Sequence, residues 1–412
     1  MAEEKKWKKI KYEHIKFIKK LGEGNYGEVF LATIKDIKGL YAIKRLPKSK
    51  FSKSEKAAQY LRNEIEILKD INHENIVKLY NSDIETFKYK FLITEFCNGD
   101  DLNNSLEYYK DEKGRPFNEE EVQHIMRQIL SGLNYLHFEK KILHRDLKLE
   151  NILLHYEDEE DRLNKRIMKA KVKIIDFGFA RYLYSDFAKS ILGSPIYMDP
   201  KILLKYNKLY NYKDFGYDQK ADVYSLGVIF YQLITGDLLF DVKNLNELVA
   251  KTKNGEYMLP ANLSKETVSF ANYMLRDDAK KRLNVDKLIK HKFITKSIKE
   301  FNKIDKHKLG DNLKGSNIIF NIKKTCIEYI NQSVFEKEEN EKPDEFQQEL
   351  IDKFNNIKIK PKPKPVKEDK KKSLEDLFLE SFDIINGDAM RIEQKLIPFI
   401  PGISSTMVLE DL

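Results

Sequence analysis

The chain has 412 residues, 34% of them charged and 41% hydrophobic, enough for one large domain or two to three smaller ones. Lys and Arg number 74 against 66 Asp and Glu, and both signs are mixed along the chain, so the net charge of +8 argues against a dedicated nucleic-acid binder. The cysteines, Cys97 and Cys326, have no partner at metal-ligand spacing; a disulfide framework and a zinc site are excluded, and a reducing compartment such as the cytoplasm is expected.

In chain order, residues 1–9 are charged and lack the apolar core of a signal peptide, and Ala2 rules out myristoylation. Strand-length apolar runs follow at 29–33, 40–44 and 91–96, then helical periodicities at 119–137 and 222–233. A strand-rich start and a helix-rich remainder predict an α+β chain with two lobes over residues 12–295, divided near residue 97. The longest apolar stretch, 226–234, is interrupted by Gly227 and Gln232 and is too short to span a bilayer.

Gly22-Glu23-Gly24-Asn25-Tyr26-Gly27-Glu28-Val29 lies between strand-like runs at 15–21 and 29–33. A dinucleotide fingerprint would open a helix instead, with an acidic residue about 20 positions on. The flanks predict a glycine-rich β-hairpin whose backbone N–H groups approach phosphate oxygens, with an ordinary tight hairpin as the plain alternative. Lys44 ends the apolar strand Tyr41-Ala42-Ile43-Lys44 and gains meaning if a carboxylate meets it. Residues 61–69 read as a helix with Leu61, Ile65 and Leu68 on one face; Glu64 and Glu66 both reach back toward Lys44, and periodicity does not choose between them.

Residues 142–154, I-L-H-R-D-L-K-L-E-N-I-L-L, place His144, Arg145, Asp146, Lys148 and Asn151 in a short loop between apolar flanks. Burying so many polar groups costs on the order of several kcal/mol without partners, which points to chemistry rather than packing. The buried-strand pattern 172–175 then delivers Asp176-Phe177-Gly178. Asp146, Asn151 and Asp176 beside a phosphate-cradling loop suit Mg²⁺-assisted phosphoryl transfer, because hard oxygen ligands suit Mg²⁺ and substrate phosphates complete its octahedron.

Beyond residue 296 Lys and Asn dominate, and the region 296–356 reads as a charged, helical extension with no motif. Within it, 318–330 suggests a helix docking on the second lobe. The Pro/Lys run 357–372 reads as an extended, solvated linker, with anionic lipid or RNA contact as the lesser reading. In the tail 373–412, helical spacing puts Leu374, Leu377, Phe378, Phe382 and Ile385 on one face behind Ser373 as N-cap, a helix suited to a regulatory protein or to folding back.

In this order and spacing the motifs resemble those of the eukaryotic protein kinases, over roughly residues 12–295. The resemblance implies a bilobal fold with a β-rich N-lobe and an α-helical C-lobe, followed by a partly disordered helical extension, with ATP and Mg²⁺ as cofactors and protein Ser/Thr hydroxyls as substrates. It implies that Gly22, Gly24 and Gly27, headed by Leu21, cover the ATP phosphates, with Val29 and Ala42 above the adenine and Leu153 below it. Lys44 would hold the α- and β-phosphates, and the pattern E-x-x-I-L selects Glu64 as its ion-pair partner. Asp146 would accept the substrate hydroxyl proton, and Asn151 and Asp176 would hold Mg²⁺. Lys148 in L-K-L-E-N marks the Ser/Thr class, where tyrosine kinases carry A-A-R-N or R-A-A-N. Thr94 takes the gatekeeper position, and Glu95 and Cys97 the adenine-binding backbone positions. Asp101 falls where the family contacts ribose or a basic substrate residue, or it caps the following helix. Asp222 matches the buried acid that anchors the catalytic loop, and Leu68, Leu79, His144 and Phe177 match a stacked column linking the lobes.

Arg145 beside Asp146 implies an activation loop, 176–200, switched by phosphorylation, with Ser190 as the expected site, Ser185 as the lesser candidate and Ser194 at the substrate platform. One departure stands out. Where the family reads A-P-E this chain has Asp199-Pro200-Lys201, so the matching Arg282 must pair with Asp199 or a nearby carboxylate; otherwise the platform is loose and the chain is a weak, scaffold-like pseudokinase. Residues 95–102, 176–183 and 193–198 most resemble the autophagy-initiating ULK group, as does a charged insertion at 155–171, expected to be a solvated loop.

Overall fold

The structure, a computed structural model, describes residues 7–24, 27–52, 55–182, 194–206, 218–242, 245–254, 256–297, 300 and 317–321. Five antiparallel strands build the first lobe in the order β1-β2-β3-β5-β4, where β1 is Ile15–Gly24, β2 Gly27–Ile34, β3 Ile37–Pro47, β4 Leu79–Glu85 and β5 Tyr89–Glu95. A short helical turn, Lys48–Ser52, and the longer helix α1 (Glu55–Asp70) connect β3 to β4. The period of two along β3 buries Tyr41 and Ile43 on one face and turns Ala42 and Lys44 to the other. The first face carries its own core of Ala32, Ile34, Tyr41, Ile43, Ile84, Phe91 and Ile93, closed by Trp7. Trp7 stacks on Tyr80 with ring centroids 4.5 Å apart, and its carbonyl accepts from Asn81 Nδ2 at 2.7 Å. The segment that reads as a charged extension ahead of the domain therefore supplies a core residue of the sheet.

The second lobe is helical, built on α2 (Leu102–Lys113), α3 (Glu119–Asn134), α4 (Gln219–Thr235) and α5 (Lys265–Met274) around one large apolar cluster. Along α3, Val122, Ile125, Met126, Ile129 and Leu133 are fully buried at helical spacing. Its start is a capping box: Glu121 N–H donates to Asn118 Oδ1 at 2.9 Å and Asn118 N–H to Glu121 Oε2 at 2.7 Å. The periodicity expected to 137 continues past α3 as a π-helical turn, Tyr135–Lys140. α4 is buried nearly all round and ends at Gly236, whose φ of 78° lies in the left-handed region. Between these helices run short strands: β6 (Ile142–Leu143) pairs with β9 (Arg181–Tyr182), and β7 (Ile152–His155) with β8 (Lys171–Ile174).

Two expectations are corrected. The insertion 155–171 is not simply a solvated loop: it holds a helical turn, Glu159–Leu163, and buries Tyr156, Ile167 and Ala170. Arg166 bridges Glu160 and Asp161 at 2.8 Å each, and Lys165 reaches Asp100 at 2.9 Å, so the charges that suggested a loop form ordered exposed pairs. The proposed helix at 318–330 gives way to a strand at its start: β11 (Asn317–Asn321) pairs antiparallel with β10 (Glu256–Pro260). Ile-Ile-Phe has high strand preference, and an available edge decides what so short a run does. The tail, the Pro/Lys run, Ser185 and Ser190 lie outside the described residues. Among the described residues no helix is long and apolar enough to cross a membrane.

Candidate active site

The glycine-rich segment is a hairpin. β1 and β2 pair through Gly22↔Val29, Glu23↔Glu28 and Gly24↔Gly27, which puts these glycines on paired strands rather than at a helix start. Gly27 has no substitute: a Cβ there would sit 2.1 Å from the Arg45 carbonyl oxygen of β3. Leu21 and Val29 are half-buried on these strands. Lys44, facing away from the outer core, donates to Glu64 Oε1 at 2.7 Å. Glu64 is 5% exposed, so the geometry selects it over Glu66. Burial pushes the Glu64 carboxyl up and the Lys44 ammonium pulls it back, with nearby Asp176 raising it again.

The catalytic-loop candidates converge from three directions. Asp222, on α4, accepts from the backbone N–H groups of His144 and Arg145 at 2.9 Å each, and lies 2.8 Å from His137 Nε2. Burial alone would raise its carboxyl, but the His137 contact and the His144 amide hold it below the usual range. These bonds fix Arg145 at φ 70°, a strained conformation for a non-glycine residue that costs on the order of 1–3 kcal/mol. Asp146 is then presented with its Oδ2 accepting from Asn151 Nδ2 at 2.9 Å and its Oδ1 3.3 Å from both the amide and hydroxyl of Ser194. Lys148 is almost completely buried in the same loop.

β8 delivers Asp176, also in the left-handed region with φ 60°, where its Oδ1 accepts from Gly178 N–H at 3.2 Å. Phe177 is fully buried and its ring meets the His144 ring edge-on at 5.0 Å, while His144 Nε2 lies 3.0 Å from the Ile175 carbonyl. Leu68 and Phe177 share one apolar cluster, with Leu79 packed against it.

The residues present fit Mg²⁺. Asn151 spends both amide hydrogens on Asp146, leaving its buried Oδ1 without a hydrogen-bond partner among the described residues. An orphaned hard oxygen near one carboxylate suits an ion that takes few protein ligands and completes its shell with phosphates and water. No group of three or more His, Cys, Asp or Glu able to hold a metal by itself occurs among the described residues.

Ala42 stands opposite Thr94 on β5, and the Thr94 hydroxyl donates to the Ala42 carbonyl at 3.3 Å. Glu95 ends β5, Cys97 follows it buried, and Leu153 on β7 bridges Asp101. Burial pushes the Cys97 thiol up to about 12, so it packs and is no nucleophile. Asp101 is the cap of α2: its oxygens accept from Asn104 N–H at 2.8 Å and Asn104 Nδ2 at 2.7 Å.

Two features escape a reading by motif. Glu95 Oε2 accepts from Lys173 Nζ of β8 at 2.8 Å and its Oε1 from the Lys78 N–H at 2.8 Å, tying the first lobe to the second. Glu150, inside the L-K-L-E-N run, buries Oε2 without a hydrogen-bond partner among the described residues, and burial pushes its carboxyl up. Each depends on contacts between distant segments or on solvent exclusion.

The family model described as "Protein kinase domain" matches residues 15–294. Curated relatives include "Calcium-dependent protein kinase 5" of Plasmodium berghei (strain Anka), 35% identical over 332 residues, 77% of this chain and 54% of that protein. "Probable serine/threonine-protein kinase fhkA" of Dictyostelium discoideum is 34% identical over 306 residues, 68% of this chain and 49% of that protein. The chain spans about half the length of these relatives. With the lobes, the hairpin and the catalytic loop in place, the match is decisive: the chain belongs to the protein kinase domain family.

Proposed function

We propose that the chain is a serine/threonine protein kinase that transfers the γ-phosphate of ATP to hydroxyls of protein substrates. The observation that carries this reading is the joint presence of the Lys44–Glu64 pair with Asp176 near enough to act on the Glu64 carboxyl, and of Asp146 bonded to Asn151, whose Oδ1 has no hydrogen-bond partner among the described residues. In this reading Lys44, steadied by Glu64, binds the α- and β-phosphates, and the hairpin amides near Gly22, Gly24 and Gly27 cover them. Asp146 orients the incoming hydroxyl and takes its proton as the bond to phosphorus forms. Mg²⁺, held by Asn151 and Asp176, would neutralise charge on the phosphates. Catalysis of this kind is positioning and electrostatics on a fixed frame.

Lys148 and the names of the relatives support Ser/Thr as acceptors. The reason to consider a scaffold-like pseudokinase, Lys201, weakens because Arg282 has a buried carboxylate partner in Asp199. Phosphorylation of Ser190 as an activating switch is part of the proposal, supported by Arg145 beside Asp146. An autophagy-type role rests on three motif segments and the insertion at 155–171, and the relatives found carry other names. The test is incubation of purified chain with Mg-ATP and a generic protein substrate: phosphoserine and phosphothreonine appear, phosphotyrosine does not, and Lys44→Met lowers the rate by about 100-fold or more. Transfer to tyrosine alone, or a rate untouched by Lys44→Met, would overturn it.

A further inference from the structure

β11 begins well beyond residue 294, where the family match ends, yet it lies on β10 of the helical lobe. The register is continuous, with Glu256↔Asn321, Tyr257↔Phe320, Met258↔Ile319, Leu259↔Ile318 and Pro260↔Asn317. β10 is a prepared edge. Tyr257 is 4% exposed and Leu259 fully buried; the Tyr257 hydroxyl donates to Asn272 Oδ1 of α5 at 2.8 Å and its ring packs edge-on against Tyr231. Anchoring alternate residues into the lobe holds the intervening backbone extended, with Met258 at the surface. Among the described residues the sheet has two strands, and β10 takes its strand-to-strand pairing from β11.

Exposed edges are ordinarily blunted by lysine, a bulge or an early proline. Glu-Tyr-Met-Leu-Pro has no lysine, its pairing shows no bulge, and its proline comes last. An edge this rigid and this unguarded is a template for an added strand, recognised through main-chain hydrogen bonds with side-chain pockets supplying selectivity.

We propose that Glu256–Pro260 is a strand-addition site for a short, extended, apolar segment, and that residues 317–321 fill it in cis, tethering the C-terminal extension to the helical lobe. The stretch of roughly 20 residues between the lobe's last helix, Lys292–Thr295, and β11 gives the cis strand an effective concentration in the millimolar range, so a partner strand displaces it only at high affinity or high local concentration. The site is independent of phosphoryl transfer, and its test uses no activity readout.

The measurement is hydrogen–deuterium exchange on the full chain, comparing wild type with Ile318→Pro/Ile319→Pro. Successive residues of an antiparallel strand alternate in facing the partner, so one of two adjacent prolines always removes a ladder donor. Amides within 256–260 are expected to exchange at least ~10-fold faster while those of 142–154 are unchanged. A saturating synthetic peptide of residues 314–324 is expected to restore protection. Ile318→Ser/Phe320→Ser, which keeps every backbone donor, is expected to give a smaller acceleration and serves if the prolines disturb the lobe. Unchanged exchange at 256–260 in both variants, or failure of the peptide to restore protection, overturns the site. Protection that rises with chain concentration overturns the cis assignment in favour of a second copy.

Discussion

Asp199 and Arg282 form a buried ion pair, although the chain carries Lys201 where the family carries the arginine's usual partner. Nη1 of Arg282 donates to Asp199 Oδ2 and to the Lys220 carbonyl at 2.9 Å, Nη2 donates to the Asp277 carbonyl at 3.0 Å, and the guanidinium lies 4.9 Å from the Tyr224 ring centroid. Asp199 Oδ1 meanwhile accepts from the Lys201 N–H at 2.8 Å, which fixes the turn into the helix Pro200–Tyr206. A carboxylate two positions earlier thus does the pairing. Removing one partner of a buried pair strands the other, at a cost of about 3–5 kcal/mol. Asp199→Ala is expected to lower Tm sharply, and Asp199→Ala/Lys201→Glu to recover part of the loss by restoring the family arrangement. Thermal unfolding of the two variants measures this, and equal Tm values would contradict the assignment.

The Glu95–Lys173 bridge spans the lobes at a residue expected to meet adenine through its backbone. If it sets the lobe angle at which ATP binds, Lys173→Met raises KM for ATP by about 10-fold with little change in kcat, since the lost positioning acts on binding. Lys173→Arg keeps the charge and is expected to restore KM. Steady-state kinetics at varied ATP separates this from loss of fold, which would lower kcat through the amount of active enzyme and leave KM alone.

Asp222 is expected to be the most sensitive position outside the substrate contacts. Asp222→Ala leaves two buried amides and His137 without their acceptor, at about 1–3 kcal/mol per stranded group. The catalytic loop, rather than the sheet, should loosen. Exchange of amides 142–154 is the readout, with β1–β3 as the internal reference.

Asp101 gives a pH dependence of definite sign. Burial, opposed by the Asn104 amide and assisted by Glu150, raises its carboxyl to about 6. The folded state therefore binds a proton more tightly than the unfolded one, and the stability from this group is present below about pH 4 and lost as pH rises to about 6. Asparagine caps helices as well as aspartate. Asp101→Asn is expected to remove that slope and to be more stable at pH 7 by up to about 3 kcal/mol. Denaturant unfolding of both proteins from pH 4 to 7 tests it; parallel curves would contradict the shift.

What was legible in the sequence was what is contiguous in it. The glycine-rich hairpin, 142–154 and 172–178 each combine strand-like flanks with polar residues that have no structural excuse, and each lies where its pattern puts it. Residues that matter through distant partners were less legible. Glu64 and Glu66 differ only in which way a helix faces Lys44, and a motif rather than periodicity chose between them. Trp7, Glu95 with Lys173, and Glu150 needed the packed lobes. Residues 317–321 differ from the helix expected at 318–330 because three apolar residues between two asparagines have no period to separate helix from strand; the open edge of Glu256–Pro260 decides it.

The central claim is that this site performs phosphoryl transfer. The most direct measurement compares wild type with Asp146→Asn, following ATP binding and phosphate incorporation into protein Ser/Thr in the same preparations. The account predicts equal ATP affinity and a kcat lower by about 100-fold or more in the variant, because Asp146 acts on the incoming hydroxyl and not on the nucleotide. Binding of ATP without transfer by the wild type, or equal transfer by both proteins, would contradict it.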